Sequence, residues 1–286
     1  MRVVFGLLIV IVLAFGGGAY YVFFSTKTIN GLTGPAVDLF IDFSVLGETP
    51  LNGEGIAPLA GRTMRTRYWT IPSGSIVPVH EHANRPATIY TLQGSIFEHR
   101  NDRDEPVLHE AGGLSLEEGS MLAHWWRNAG DQEVRLVAFD IYQSADDVTS
   151  PGPVAATPNL PELSAMPDAA GATRELLGFV DLSAHFLGSY GEGYALTTYR
   201  VTLQPGGVLP FFTEGGEPVH VFLEDGSVTE TRPAGATTVL SPRGFSRVDG
   251  GAAAWWENTG PTPARLIIGA LERTDGLDLA GGPDDE

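Results

Sequence analysis

One stretch of sequence occurs twice in this chain, and this repetition limits the possible folds more than any other feature. Residues 74–94 are GSIVPVHEHANRPATIYTLQG and residues 206–226 are GGVLPFFTEGGEPVHVFLEDG, two stretches of equal length that begin 132 positions apart. Farther along, HWWRNAG from His124 corresponds to AWWENTG from Ala254 at an offset of 130. We therefore expect two copies of one domain.

The local pattern within each copy is that of β-strands. Segments such as TRYWTI, ATIYTL and EVRLVAFDIY in the first copy, and ALTTYRVTL and ARLIIGAL in the second, are rich in β-branched and aromatic residues. The chain has 36 glycines and 20 prolines, which mark turns between short apolar runs. Nothing in either copy indicates a long helix. The predicted fold class is all-β, with two tandem jelly-roll barrels of roughly 90 residues each.

Composition divides the chain into six segments. Residues 146–176 contain five prolines among alanine, serine and aspartate, a composition that separates domains. The predicted organisation is a transmembrane anchor over 1–27, a connecting segment over 28–59, an N-terminal barrel over 60–145, a linker over 146–176, a degenerate C-terminal barrel over 177–274 and an acidic tail over 275–286.

The N-terminal segment predicts a membrane anchor. Val3 to Phe24 is free of charged residues over 22 positions, and as a helix it would cross a hydrocarbon core of about 30 Å. A cleaved secretory signal ending near Gly17 and Ala19 is the alternative. The anchor is favoured because the apolar run continues into an aromatic cluster. Arg2 then predicts a single-pass protein with a cytoplasmic N-terminus and barrels on the periplasmic or extracytoplasmic side.

Charge and cysteine content exclude several classes of function. The chain has 35 acidic and 17 basic side chains, for a net charge of -18, and such a chain repels nucleic acid. It has no cysteine, which excludes disulfides, thiolate metal sites and cysteine nucleophiles. No nucleotide-binding or hydrolase motif lies outside the apolar segment.

The spacing around the first histidine pair resembles the cupin family, specifically a two-barrel bicupin. The first cupin motif is G, five residues, H-x-H, three or four residues, E, six residues, G. Gly74, His80, His82 and Gly94 occupy these places, but Ala87 stands where the family has its glutamate.

The second cupin motif is G, five residues, P-x-G, two residues, H, three residues, N. Gly113, Gly119, Met121, His124 and Asn128 fall at these spacings, so that the proline and the inner glycine are replaced. The resemblance covers about two thirds of the chain and implies the fold, but cupins host many unrelated reactions.

The histidines themselves indicate a metal site. Side chains two apart in a strand share a face, so His80 and His82 point together into the barrel while Glu81 points away. If His124 lies on a neighbouring strand, three imidazoles can bind one divalent ion, Fe, Mn, Zn or Ni, and leave positions open for water or substrate. Without the glutamate, the ion would be held by three neutral nitrogens, an arrangement similar to that of the thiol dioxygenases.

The second copy serves as an internal control. Phe212, Glu214, Val219 and Ala254 replace His80, His82, Ala87 and His124, so the ligand set is absent from it. Features common to both copies, including the asparagine at 128 and 258, must therefore be explained by the barrel alone. The Trp pairs at 125–126 and 255–256 are accordingly predicted to be packing and rim residues. His99, His109, His185 and His220 are predicted to be structural or exposed.

Two hypotheses of function follow. In the first, the protein is a membrane-anchored metallo-bicupin whose N-terminal barrel acts on an unidentified small molecule. In the second, neither barrel is catalytic, and the protein is an accessory subunit whose apolar helix docks on a larger membrane protein complex. The small residues Ala14 and Gly16 to Gly18 would allow close helix approach. A homodimer is a further expectation from the resemblance to cupins.

Overall fold

The computed structural model describes residues 9–15, 18–52, 54–143, 166–185, 193–212 and 216–277, and these residues are mainly strand, as the sequence predicts. The chain begins with two antiparallel pairs. They are formed by β1 (Ile9–Phe15) with β2 (Gly18–Phe24), and by β3 (Thr26–Ile29) with β4 (Leu32–Pro35).

The N-terminal apolar segment differs from the predicted helix. Its described residues form the hairpin of β1 and β2, in which Ile9 pairs with Phe24 and Phe15 with Gly18. Among the residues that the structure describes, no helix is long and apolar enough to cross a membrane. The physical reason is that valine, isoleucine and aromatic side chains favour strands, so an uncharged apolar run does not by itself specify a helix. Residues 3–8, 16 and 17 of the segment lie outside the described residues.

The first barrel is built from two sheets. Its strands are β5 (Asp42–Pro50), β6 (Arg62–Ile71), β7 (Ile76–Glu81), β8 (Ala87–Gln93), β9 (Ser95–Arg100), β10 (Val107–Glu110), β11 (Leu114–Glu117), β12 (Ala123–Arg127) and β13 (Val134–Gln143), with a 3-10 helix at Glu54–Leu59. One sheet has the order β10-β9-β12-β7 and the other has the order β11-β8-β13-β6-β5.

The second barrel repeats this arrangement in one continuous sheet. Its elements are β14 (Ala170–Asp181), a short helix α1 (Leu182–His185), β15 (Tyr194–Phe212), β16 (Val219–Asp225), β17 (Val228–Thr231), β18 (Thr237–Leu240), β19 (Phe245–Val248), β20 (Ala253–Glu257), β21 (Ala264–Arg273) and a 3-10 helix at Thr274–Gly276. The strand order is β18-β17-β20-β15-β21-β16-β19, and β14 pairs with β15.

An asparagine shared by the two barrels confirms the structural part of the repeat. The side chain of Asn128 donates to the carbonyls of Ile71 and Gln132 and accepts from the backbone of Gly130. Asn258 makes the same three bonds, to Leu203, Thr262 and Gly260. Because each side chain closes a turn onto a neighbouring strand, the barrel alone accounts for this residue, as the sequence predicts.

The two barrels pack against each other through one face of a sheet from each. On β6, β8 and β13, alternate side chains point into the first barrel or toward the second. Thr88 Oγ1 lies 2.6 Å from Thr198 Oγ1 across this interface, and the Phe139 ring covers Gly269 so closely that a Cβ there would overlap it. The shared core includes Met64, Tyr90, Phe139, Ile141, Leu196, Phe222, Ile267 and Leu271.

The described strands extend beyond the predicted barrel segments. β5 lies within the predicted connecting segment 28–59 and pairs with β6. β14 begins at Ala170, inside the predicted linker 146–176. Residues 144–165 and 278–286, which include most of the linker and of the acidic tail, lie outside the described residues.

Candidate metal centre

Two neighbouring strands of the smaller sheet bring three histidines together. His80 lies on β7 and His82 directly follows the last residue of that strand, while Glu81 between them is exposed. His124 on β12 pairs directly with His80. One ring nitrogen from each of the three residues lies within 4.8 Å of the others. The structure therefore brings together the three residues that the spacing predicts.

A polar contact at Nδ1 orients each of the three imidazole rings. His80 Nδ1 donates to the Pro78 carbonyl at 2.8 Å and His82 Nδ1 donates to the Arg85 carbonyl at 2.6 Å. His124 Nδ1 lies 2.5 Å from Glu98 Oε1, closer than the indole nitrogen of Trp126 at 3.0 Å, so we assign the Nδ1 proton to the carboxylate contact. Each Nε2 is then an unprotonated acceptor aimed at the centre, which is the tautomer that a metal ligand requires.

A carboxylate joins the three histidines from a third strand. Glu117, at the end of β11, is almost completely buried. Its Oε2 lies 2.9 Å from His82 Nε2, and its Oε1 lies 3.4 Å from His124 Nε2 and has no hydrogen-bond partner. Sequence reasoning missed this residue and expected a site of three nitrogens with no carboxylate beside them. The cause is that Glu117 occupies a position that the second motif leaves unspecified, and it reaches the histidines only through strand pairing.

The four acceptors fit a cation. His80 Nε2 and His124 Nε2 lie 3.0 Å apart, which is about the separation of two nitrogens bound at a right angle to one ion at 2.0–2.1 Å. His82 Nε2 and Glu117 Oε2 are another close pair of acceptors. Facing lone pairs repel unless a proton or a metal ion lies between them, so this donor set has the chemistry of a divalent-ion site.

Burial sets the protonation states in the cluster. Burial, followed by the neighbouring His124, lowers the pKa of His80 well below its ordinary value. Burial also lowers the pKa of His82, although Glu117 opposes the shift. Burial acts to raise the pKa of Glu117, but His82 and His124 outweigh it, and that pKa is lowered. Neutral imidazoles beside an ionised carboxylate are the states that bind a metal without releasing a proton.

A second buried carboxylate, that of Glu98, contacts the Nδ1 atom of His124, on the side of the ring that faces away from the cluster. Glu98 on β9 is fully buried and accepts hydrogen bonds from His124, from His109 Nε2 at 2.8 Å and from Ser115 Oγ at 3.2 Å. Burial opposes ionisation of Glu98, but the bonds from His109 and His124 lower its pKa to about 2. The prediction that His109 has only a structural or exposed role is thus incomplete, because it holds the carboxylate that orients His124.

A cavity of about 270 Å³ opens beside the cluster. Its polar lining includes His80, His82, Glu117, Arg67 and Arg85, with Lys27 and Asp38 at the mouth. Its apolar lining includes Ile41, Trp69, Ile71, Val77, Ile89 and Leu136. Trp126 is buried, as predicted for a packing residue, and it also lines this cavity.

The described part of the second barrel has no counterpart of the cluster. β11 pairs with β8 as β19 pairs with β16, so Glu117 and Ala87 correspond to Val248 and Val219. Val219, Val248 and Ala254 lie in the apolar core of that barrel. In the first barrel, Trp126 Nε1 lies 3.0 Å from His124 Nδ1. Ala254 replaces this histidine in the second barrel, so the corresponding Trp256 Nε1 is buried without a hydrogen-bond partner. The second barrel thus also lacks the counterpart of the Glu117 carboxylate, because Val248 stands at that position.

Two of the remaining histidines, His99 and His220, lie away from the cluster. His99 stacks on Trp125 with ring centroids 3.7 Å apart. His220 is buried between the barrels, where Thr49 and Thr66 contact its two ring nitrogens. Both agree with the predicted structural roles, and the side chain of His185 lies outside the described part of the chain.

Neither a protein-family model nor a curated protein sequence matches this chain. Solved structures do match. A Pseudomonas aeruginosa protein named as glyoxylate-induced is 13% identical, with a TM-score of 0.54 and coverage of 85% of each chain. An oxalate decarboxylase is 14% identical, with a TM-score of 0.50 over 76% of this chain and 70% of its own.

A third similar structure is a cupin 2 conserved barrel domain protein from Leptotrichia buccalis. It is 7% identical, with a TM-score of 0.48, and the match covers 83% of this chain and 91% of that one. The structural neighbours are cupin-fold proteins. At these identities the likeness concerns the fold alone, which is an all-β, jelly-roll, cupin-type architecture.

Proposed function

We propose that the protein is a metallo-bicupin whose first barrel binds one divalent ion, Fe, Mn, Zn or Ni, through His80, His82, His124 and Glu117, and transforms a small molecule in the adjoining cavity. The observation that carries the proposal is that ring nitrogens of the three histidines lie within 4.8 Å of one another, beside a carboxylate oxygen of Glu117 that has no hydrogen-bond partner and lies 3.4 Å from His124 Nε2. The second barrel would then be a scaffold, because all of its corresponding described positions are apolar.

Each part of the first barrel has a role in this proposal. A bound divalent ion polarises a coordinated ligand and stabilises negative charge that develops on it. The chain holds the ligand atoms in place through the Nδ1 bonds of the three rings, and Glu98 fixes the tautomer of His124. The apolar wall around Trp69 excludes water from the space beside the cluster, which strengthens the electrostatic interactions there.

Elemental analysis of the full chain, purified in mild detergent after expression in metal-supplemented medium, tests the proposal. We expect near one metal ion per chain, lost in His80→Ala. His99→Ala is the matched control, because His99 also lies on a strand of the smaller sheet but its ring stacks on Trp125 and does not contact the cluster. A metal content far below one, or one that His80→Ala leaves unchanged, would contradict the proposal. A metal-free protein that co-purifies with a stoichiometric membrane partner would instead support the accessory-subunit hypothesis.

Membrane attachment and an extracytoplasmic location are also part of the proposal. They rest on the uncharged run from Val3 to Phe24 and on Arg2 before it. Extraction of cell membranes at high pH should leave the full chain in the membrane pellet, whereas a chain lacking residues 1–24 should be released. Release of the full chain would contradict the anchor. Cross-linking of the same preparations would test the expected homodimer or membrane-protein partner.

A further inference from the structure

We infer that the cavity of the first barrel binds a small organic carboxylate with an apolar body, and that Arg67 recognises its carboxylate. This inference rests on the proposed function only in taking the neighbouring cluster as a metal site. Arg67 projects from β6 into the cavity, on the same face as Trp69 and Ile71. It belongs to neither of the two motifs.

Arg67 is a buried cation with hydrogen-bonding capacity to spare. Its side chain is only 8% exposed, and its Nη2 donates to Asp140 Oδ2 at 2.9 Å. Its Nε is buried and has no hydrogen-bond partner. Asp140 is also bound through both oxygens by Arg65, so two guanidinium groups share one carboxylate. Arg67 therefore shares its hydrogen-bonded carboxylate with Arg65 and keeps an unbonded N–H, and a buried cation in this state favours an anionic ligand.

Other cations at the cavity reinforce this preference. Arg85 lines the cavity with its Nη2 3.4 Å from His82 Nε2, and Lys27 lies at the mouth. The anionic groups that line it are Glu117, which faces the histidines, and Asp38 at the mouth. A divalent ion at the cluster would make the inner end of the cavity more positive. The cavity lining thus has more cationic than anionic side chains, although the whole chain has a net charge of -18.

The second barrel again serves as an internal control. The pairing of β13 with β6 matches that of β21 with β15, so Arg67 corresponds to Tyr199 and Asp140 to Ala270. Arg85 corresponds to Glu217 in the ungapped repeat, which reverses the charge. Both arginines are therefore absent from the barrel that lacks the histidine ligands. Barrel structure alone does not require them.

Size and lining define the rest of the ligand. An engineered cavity of about 150 Å³ holds benzene, so the cavity of about 270 Å³ can hold one ring or a short aliphatic chain together with a carboxylate. The ring of Trp69 and the side chains of Ile89 and Leu136 form an apolar wall for that body. Inorganic phosphate or acetate would leave this wall without a partner.

Calorimetric titration with benzoate tests the inference, with benzamide as the neutral isostere and acetate as the anion without an apolar body. The full chain is titrated in its metal-loaded form and after metal removal with a chelator. We expect benzoate to bind at least about tenfold more tightly than either comparison compound, because charge-assisted hydrogen bonds and ring burial both contribute. In Arg67→Met, the preference for benzoate over benzamide should fall at least about tenfold with metal content unchanged.

Arg65→Met is the matched control. Arg65 has the same charge, lies on the same strand and binds the same aspartate as Arg67, but it does not line the cavity. The variant should retain the preference for benzoate, and thermal melts of both variants identify any loss of folding. Equal binding of benzoate and benzamide, or a preference unchanged in Arg67→Met, would overturn the inference. These results are independent of metal content, so a protein that binds metal but not benzoate refutes the inference alone, and absence of metal refutes the proposed function alone.

Discussion

Glu117 on β11 lies directly opposite Ala87 on β8 in the antiparallel ladder. Position 87 is where the cupin motif has its glutamate, and both residues are buried. A carboxylate therefore reaches the histidines from the neighbouring strand. Directly opposed side chains in a ladder lie about 5 Å apart, so either position can present a carboxylate to nearly the same space.

This relationship predicts that the carboxylate can be moved between the strands. Glu117→Ala should weaken metal binding at least about tenfold, because it removes the anionic donor. The exchange variant Ala87→Glu/Glu117→Ala keeps the side-chain volume and should recover much of that affinity. Competition with a coloured chelator measures both values. Glu81→Ala, which removes an exposed carboxylate between His80 and His82, is the control and should have no effect. Failure of the exchange to recover any affinity would argue against the structural equivalence.

Glu98 should affect metal binding without touching the metal. Glu98→Gln keeps the size of the side chain but removes the charged acceptor of His124, and metal affinity should fall about 10–100-fold. Glu230 is the counterpart of Glu98 in the second barrel and is the matched control. Glu98 pairs with Trp126 as Glu230 pairs with Trp256. Glu230→Gln should leave metal affinity unchanged. Equal losses of affinity in the two variants would show that the effect is general destabilisation.

His220 should make stability depend on pH. Burial, followed by the nearby Arg247, lowers its pKa to about 3 from a reference value of 6.5. The unfolded chain therefore binds the proton more readily, and stability should fall as pH decreases from about 6.5 toward 3, by up to about 1.4 kcal/mol per pH unit. Thr49 also donates to Asp249, so its hydroxyl accepts from the Nε2–H of a neutral ring.

Chemical denaturation of the full chain between pH 7 and pH 5 measures this dependence. His220→Gln should reduce the slope relative to the parent protein, even if its stability at pH 7 is lower. His99→Gln, at a partly exposed position, is the control and should leave most of the slope in place. An unchanged slope in His220→Gln would mean that the ring is not buried and neutral in solution.

The interface between the barrels should depend on the absence of a side chain at position 269. A Cβ on Gly269 would overlap the ring of Phe139, so Gly269→Ala should destabilise the protein by about 1–3 kcal/mol. Phe139→Leu in the same chain should relieve part of this loss. A double-mutant cycle by urea unfolding measures the coupling. Simple additivity of the two changes would contradict the packing described here.

The sequence by itself determined the elements that depend on local pattern. Equal spacing of glycines and prolines in two copies, together with the histidine pair of the first, predicted two related barrels, because turns and alternation are properties of short segments. Alternation also put His80 and His82 on one face. The same local reasoning predicted a helix at the N-terminus, where the described residues form a hairpin, because an apolar run of this kind is compatible with both structures.

Only the tertiary structure decided the composition of the site. Glu98 and Arg67 lie outside the motifs and Glu117 occupies an unspecified position inside the second one, and each reaches the cluster or the cavity from a different strand. Their proximity depends on the register of strand pairing, and a shift of one residue would turn each side chain to the opposite face. Register is fixed by the packing of two whole barrels, so no local segment of the sequence contains the information that brings these residues together.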